Sequence, residues 1–518
     1  MSHMLKKIRT GAAAVFWVGI TLLFLDFTGT LHHYLGWMAK VQALPALLAL
    51  NVGVIVGLVL LTLVFGRLYC SVICPLGVFQ DGISWLGTHK AKAPYRYRKE
   101  IKWLRYGVWA LFVAALVGGV HAAVSILAPY SAYGRMVRNL LQPVYLWDNN
   151  LLAAIAERYG SYAFYSKEVW IRSVPTFIVA VVTLIVIAAL SFKGGRTYCN
   201  SVCPVGTTLS FFSRFAMFRP VIDANQCVRC HSCERKCKAH CIEITREKVS
   251  IDYSRCVDCF NCIDSCPKGG LKYRFAWKKA EAPSGAFART GSRSDAEEGA
   301  SASSQSQGRR AFIAGAAVAA GAAALKGVEA RAQEAAKAVT KVDGGFAEVL
   351  PKQAPKRDVP VTPPGSKSVK HFYQHCTACQ LCVAECPNGV LRPSTDPERF
   401  MQPEMGFEKG FCRPECTRCS EVCPAGAIRK IGREEKTQYH VGTARVNPEA
   451  CISATGKSHC GKCASKCPAD AIRMVRVDGN LTPAVNQELC IGCGACEQYC
   501  PVRPISAITV TGRYEHLV

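Results

Sequence analysis

The sequence predicts a multi-domain protein in which an α-helical transmembrane bundle of about four helices precedes two small α+β domains built on runs of cysteine. Three observations carry that expectation. Four apolar runs long enough to span a bilayer fall within the first 192 residues. There are 29 cysteines, and nearly all recur at fixed short spacings. Between the two cysteine-rich regions stands a polar, small-residue stretch that cannot pack. The formal net charge of +26 does not point to nucleic acid, because the cations form no single stripe with interleaved aromatics.

Residues 1–219 are the expected membrane core, with spans at residues 10–30, 43–65, 103–127 and 170–192, each meeting the requirement of about 20 apolar residues. Lys6, Lys7 and Arg9 precede the first span. Arg67, Lys90, Lys92, Arg96, Arg98, Lys99, Lys102 and Arg105 lie between the second and third, and Lys193, Arg196, Arg214 and Arg219 follow the fourth. The loop between the first two spans has Lys40 alone, so both ends of the bundle are expected in the cytoplasm and residues 128–169 outside. At two cytoplasmic span ends the same motif is written twice, as GRLYCSVICPLG (66–77) and GRTYCNSVCPVG (195–206). Each copy carries two cysteines where an iron–sulfur cube takes four. Cys70, Cys74, Cys199 and Cys203 therefore read as two halves of one site: a four-thiolate metal site, a redox disulfide pair or a further cluster, with Arg67 and Arg196 near the anionic sulfurs.

Residues 220–275 hold the first cysteine module. Cys256, Cys259, Cys262 and Cys266, then Pro267, follow C-x2-C-x2-C-x3-C-P, the bacterial ferredoxin run that holds [4Fe–4S] clusters. Zinc ribbons use two separated C-x2-C pairs instead. Cys227, Cys230, Cys233 and Cys237 repeat the spacing with Lys238 in place of the proline. The fourth cysteine of such a run ligates the neighbouring cluster. Cys227, Cys230 and Cys233 then pair with Cys266, and Cys256, Cys259 and Cys262 with Cys237. Cys241 is left as a small buried residue.

A flexible linker (276–308) leads to GRRAFIAGAAVAAGAAALKGVEARAQ, where Arg309, Arg310, Phe312 and Ala330-Arg331-Ala332 read as a twin-arginine export signal over 309–332. This segment predicts a fifth, signal-like helix that carries the rest of the chain across the membrane, with a cleavage point after Ala332. A Pro-rich tether (333–370) precedes the second cysteine domain, 371–518. It holds four sets: Cys376, Cys379, Cys382, Cys386; Cys412, Cys416, Cys419, Cys423; Cys451, Cys460, Cys463, Cys467; and Cys490, Cys493, Cys496, Cys500. Neighbouring and nested pairing of these sets both satisfy the spacing. In all, 24 cysteines are expected as iron ligands of six [4Fe–4S] clusters in two ferredoxin-like domains, and the four motif cysteines make a seventh centre conceivable.

The core with two C-x3-C-P motifs and a two-cluster tail resembles the NapH-type membrane polyferredoxins. The export signal followed by four cluster motifs resembles the NapG-type exported ferredoxins of periplasmic nitrate reductase systems, as though the two were fused. The resemblance implies an electron-transfer protein of a bacterial cytoplasmic membrane, multi-pass, with 220–275 cytoplasmic and 371–518 periplasmic. Its implied partners are the membrane quinone pool, whose quinol it oxidises, and a periplasmic oxidoreductase or cytochrome. Related polyferredoxins imply an alternative, a thiol- or metal-reducing maturation factor working through Cys70, Cys74, Cys199 and Cys203. Ionisable residues at membrane helix ends are costly and functional by default, which makes Asp26 and His121 the candidate quinol groups. His32 and His33 fit interfacial solvation. The sequence carries no phosphate loop, dinucleotide fingerprint or nucleophilic triad.

Overall fold

The computed structural model describes residues 2–91, 95–223, 225–245, 249–276, 341–343 and 347–517. The expected export signal at 309–332 lies outside the described residues. Residues 1–279 and 352–518 make one compact unit and residues 280–351 another. In the latter, strands Lys341–Asp343 and Ala347–Val349 pair antiparallel.

In the larger unit, two helices are long and apolar enough to cross a bilayer: Met4–Leu25, within the helix Ser2–Leu25, and Val174–Gly194. The other two expected spans are broken. The run at 43–65 divides into Ala43–Leu48 and Val52–Phe65, because Leu50 adopts a left-handed backbone (φ 51°) and the Asn51 side chain accepts the Val54 N–H to begin the next helix. The run at 103–127 divides into Lys102–Val117 and His121–Leu127 at Gly118-Gly119, where Gly119 has φ 76°. The first span stops at Leu25 instead of 30. Asp26 turns the chain there, its carboxylate accepting the N–H groups of Thr28, Gly29 and Leu31.

The expected outer loop is the largest correction. Residues 129–158 are helical throughout, as Pro129–Met136, a π-turn Val137–Leu141 and Gln142–Arg158. Every residue of Pro129–Met136 is buried, so this polar-rich stretch is core. Exposed on these helices are Val15, Val18, Leu22, Val56, Leu60, Leu111, Val182, Ile185 and Val186.

The two cysteine domains dock at opposite ends of the helical core. Residues 220–275 sit where the first helix begins: Lys6 Nζ meets Asp264 at 2.6 Å, Met217 N–H donates to the Leu63 carbonyl, and Asn200 Nδ2 donates to Ala239 O. This module is α+β, pairing Phe218–Ile222 with Leu271–Phe275 and Ile242–Ile244 with Val249–Ile251. Residues 352–518 sit where the first helix ends. There Arg418 Nη1 donates to Phe27 O, Asn139 Nδ2 to the Gln380 side chain, and Arg172 to the carbonyls of Val383 and Leu391. Its antiparallel pairs join Leu391–Pro393 to Pro403–Met405, His440–Val446 to Ile508–Leu517, and Ile472–Val477 to Asn480–Val485.

A single carboxylate fastens the first module. Asp81, on the helix Pro75–Ala91, pairs with Arg196 (2.7 Å), Lys238 (2.8 Å) and Arg9 (2.9 Å). Burial alone would raise its pKa; Arg196 and Lys238, then Arg9, reverse this and hold the carboxyl well below the usual carboxylate range. Removing one member of a buried ion network leaves the others uncompensated. Asp81→Ala is therefore expected to cost about 3–5 kcal/mol, whereas Lys6→Ala, at a pair 39% exposed on the lysine side, costs under about 1 kcal/mol. A depressed carboxylate stabilises above its unfolded pKa of about 3.9 and loses that contribution as pH falls. Thermal unfolding in detergent at pH 7 and at about pH 2.5, below the unfolded carboxylate pKa, checks both: the gap between wild type and Asp81→Ala narrows at the lower pH.

Candidate metal centres

Cys70, Cys74, Cys199 and Cys203 meet in one buried place, each 5% exposed or less. The short helices Leu68–Val72 and Thr197–Ser201 deliver the first cysteine of each pair. Pro75 and Pro204 then open the next helices at their first position, where a missing N–H costs nothing.

The two halves complete each other. Arg67 Nη2 donates to Cys199 O at 3.2 Å and faces Cys70 Sγ at 3.8 Å; Arg196 Nη1 donates to Cys70 O at 2.6 Å and faces Cys199 Sγ at 3.9 Å. The motif glycines admit these arginines. A Cβ on Gly77 would strike Cys70 O and the Arg196 guanidinium, and one on Gly206 would strike Cys199 O and the Arg67 guanidinium. Gln80 Nε2 donates to Cys199 Sγ and the Gly206 N–H to Cys203 Sγ, both at 3.4 Å. Tyr69 donates to Gln42 Oε1 and Tyr198 to Leu127 O on either side.

Charge decides what this pocket fits. Arg196 has Asp81, but Arg67, fully buried, makes no ion pair with a carboxylate oxygen within 4 Å among the described residues. Cys70, Cys199 and Cys203 are its Coulombic partners in the pocket, and the buried Asp258 carboxyl, which accepts its backbone N–H, acts on it from the other side. A buried guanidinium without an anion is costly. A thiolate-held cluster supplies that anion; a disulfide would remove it, and the four cysteines are free. Arg67 and Arg196 stood in the repeated motif and were expected here. Gly77, Gly206, Tyr69 and Tyr198 stood in it too, and their repetition was the signal available. Gln80 and Asp81 had none.

The remaining ligand candidates surround six small cages. Cys227, Cys230, Cys233 and Cys266 line one. Cys256, Cys259 and Cys262 gather with Cys237, and Cys241 adds a fifth thiol there, 3.5 Å from Cys237 Sγ. In the C-terminal domain Cys376, Cys379 and Cys382 group with Cys423, and Cys412, Cys416 and Cys419 with Cys386. Cys451, Cys460 and Cys463 group with Cys500, and Cys490, Cys493 and Cys496 with Cys467. The sets thus exchange their fourth thiol as neighbours, and nested pairing is not what the chain adopts. The thiols stand around each cage, and among the described residues no three His, Cys, Asp or Glu side chains converge on a single-ion point. That spread suits a polynuclear cluster.

The two candidate quinol groups fall at different contacts with the C-terminal domain. Asp26 is committed to its turn, beside Glu385, whose carboxyl burial and Asp26 push up to about 8. His121 is buried with Nδ1 unpartnered, and His375 is its neighbour in the C-terminal domain.

Comparison with known proteins bears on these sites. A 4Fe-4S binding domain family matches residues 47–94 and 176–221, the two halves of the four-thiol centre, and a 4Fe-4S dicluster domain family matches residues 458–503. The ferredoxin-type protein NapF of Escherichia coli K12 is 30% identical over 177 residues, covering 34% of this chain and 99% of NapF. The chain belongs to the NapF-type ferredoxin family. It is an iron–sulfur electron-transfer protein, and [4Fe–4S] clusters are its cofactors. For a NapF-type ferredoxin its length is unusual, since about two thirds of it falls outside that match. An uncharacterized protein of Methanocaldococcus jannaschii is 26% identical over 279 residues, 54% of this chain and 98% of that protein. The methylamine utilization ferredoxin-type protein MauM of Methylobacillus flagellatus is 28% identical over 115 residues, 22% of this chain and 49% of MauM. No solved structure matches the chain.

The reciprocal packing predicts a paired sensitivity. Gly77→Ala and Gly206→Ala each displace the opposite arginine and lower iron per chain by one cluster. Gly82→Ala, with nothing within 4 Å of the added carbon, leaves iron unchanged. Iron and acid-labile sulfide assays on the purified variants read the difference.

Proposed function

We propose that this chain is a membrane-bound iron–sulfur wire that oxidises quinol and passes the electrons through [4Fe–4S] clusters to a periplasmic oxidoreductase. The 24 cage cysteines hold six clusters, and Cys70, Cys74, Cys199 and Cys203 hold a seventh at the centre. The family likeness that covers both halves of the four-thiol site supports the seventh cluster, together with the anionic charge Arg67 requires. In architecture the chain is read as a NapH-type core joined to a NapG-type exported domain. The exposed apolar residues and the two long apolar helices support membrane residence, and docking of the two cysteine domains at opposite ends supports cytoplasmic placement of 220–275 and periplasmic placement of 371–518.

The observation that carries the reading is the succession of thiol sites through one compact unit. Arg67 Nη1 donates to Ser254 O at 3.1 Å, two residues before Cys256, so the second cytoplasmic cage adjoins the four-thiol centre. On the other side Tyr69 stands near Cys70, Cys74 and Cys203, and Tyr130 stands near Tyr69, Cys379 and Cys423. Gly134 packs against Cys379 O so closely that a side chain there would collide. Tyr69 and Tyr130 thus stand between the centre and the cage of Cys376, Cys379, Cys382 and Cys423. A maturation factor would need accessible thiols for exchange, and burial of all four weighs against it.

Adding menaquinol or ubiquinol analogues to the purified, cluster-loaded protein is expected to bleach the cluster absorbance; no bleaching with any quinol sinks the wire reading. The Cys70→Ser/Cys199→Ser double variant is expected to lose four iron atoms per chain and to interrupt reduction between the two domains, seen by redox-titrated EPR.

A further inference from the structure

A cavity of about 260 Å³ opens between the helix Gln142–Arg158, the segment 166–172 and the turn 386–389. Four cations line it, Arg138, Arg172, Lys167 and Lys409, against the single carboxylate of Glu168. Arg172 is held by the Val383 and Leu391 carbonyls. Arg138 is not so held: it is 8% exposed, lines the cavity and makes no ion pair with a carboxylate among the described residues. A buried guanidinium without an anion is expensive, and it calls for an oxygen ligand.

The rest of the cavity says which oxygen ligand. Phe27 and Trp170 form flat walls, with Lys409 Nζ lying 4.5 Å above the Trp170 ring. Pro143 and Leu146 carry the wall outward onto the same helix, whose exposed face bears Val144, Trp147, Leu151 and Ile155 at helical spacing. An inorganic anion needs no such stripe. A flat ring with two oxygens and an apolar tail needs all of it, and the volume admits the ring while leaving the tail on the stripe. Cys386, grouped with Cys412, Cys416 and Cys419, also lines the cavity, so an electron acceptor site adjoins it.

We infer that this cavity is the quinol headgroup site, an inference that rests on the quinol reading above. Quinol gives up two electrons, one at a time, toward the cage that includes Cys386. Its two hydroxyl protons leave to water past exposed Glu168, and the ring departs as quinone. Arg138 donates to a ring oxygen and stabilises the negative charge that oxygen carries between the two steps. Asp26 and His121 do not line the cavity, so the binding role passes from them to Arg138.

The test uses the full, cluster-loaded chain in detergent. Menadione binding is read as quenching of Trp170 fluorescence, taken as the difference between wild type and Trp170→Phe; menadiol-driven cluster bleaching is read separately, with dithionite as control. Arg138→Leu is expected to weaken menadione binding at least tenfold and to slow menadiol bleaching comparably, with iron content and dithionite bleaching unchanged and Arg138→Lys recovering part of both. If the leucine variant loses iron, Arg138→Gln takes its place. Wild-type binding and bleaching in the variant overturn the site and leave quinol oxidation standing. Binding lost in the variant, with a wild type that menadiol never bleaches, supports the site and overturns quinol oxidation. Quenching by phosphatidylglycerol vesicles with none by menadione reassigns the cavity to an anionic lipid headgroup and overturns the proposal.

Discussion

Two crossed guanidinium groups hold the centre of this protein. Neither half-motif can satisfy itself, because the arginine of each reaches the backbone carbonyl of the other's first cysteine. The same two side chains also reach outward. Arg67 continues to Asn200 and to Ser254 O, and Arg196 continues to Asp81, through which Arg9 and Lys238 join. The first helix, the helix Val174–Gly194 and the module 220–275 are therefore fastened through one pair of cations. Asp81 answers Arg196, but Arg67 has no carboxylate ion pair, and among neutral thiols its buried guanidinium would forfeit its hydration without return, so negative charge inside the pocket stabilises the pair. Occupation of the centre and integrity of the surrounding packing are in this sense one requirement.

What could be read in the sequence was what is chemically local. A C-x2-C-x2-C-x3-C run commits its thiols whatever the distant chain does, so the cages formed as spaced, and the repeated G-R-x-Y-C-x3-C-P-x-G already held most of the central site. Long-range facts were not legible. Spacing is the same whether sets exchange thiols as neighbours or nested, and only tertiary packing, such as that of Cys423 beside Cys376 and Cys379, separates the two. Hydropathy averages over a window and misses single-residue breaks, which is how Leu50 and Gly119 divided two expected spans. The stretch PYSAYGRM read as loop because its tyrosines, serine and arginine lower the average. Two of them meet protein partners, Tyr133 hydrogen-bonding Thr21 and Arg135 donating through Nη1 to Ser125 O, while Tyr130 Oη and Ser131 Oγ are buried without one.

The charge surplus takes a different meaning with the fold in view. Arginines counted as topology signals, Arg67, Arg105, Arg196 and Arg219 among them, are buried. Arg105, for instance, pairs with Glu100 and donates to Ser254 O beside the second cage. Arg135 and Arg138 add two more cations within the helices that face residues 352–518. A protein that stores anionic clusters in a low-dielectric interior must bring cations in with them. Part of the +26 is therefore interior counter-charge for the clusters, and only the remainder is available to set orientation at a membrane surface.

The one regular cluster motif that departs from its pattern shows how such constraints surface in sequence. Proline follows the fourth cysteine at 267, 387, 424, 468 and 501, but Lys238 follows Cys237. A proline there would present no charge. Lys238 is buried and reaches Asp81, its carbonyl accepts the Arg196 N–H at 2.8 Å, and Gly195 with φ 55° leaves room for its backbone. The substitution stands at the point where the second cage meets the helical core, so the local rule yields where a tertiary contact needs a cation. A departure from a cluster motif is then informative in its own right: it marks the face by which a cluster module docks.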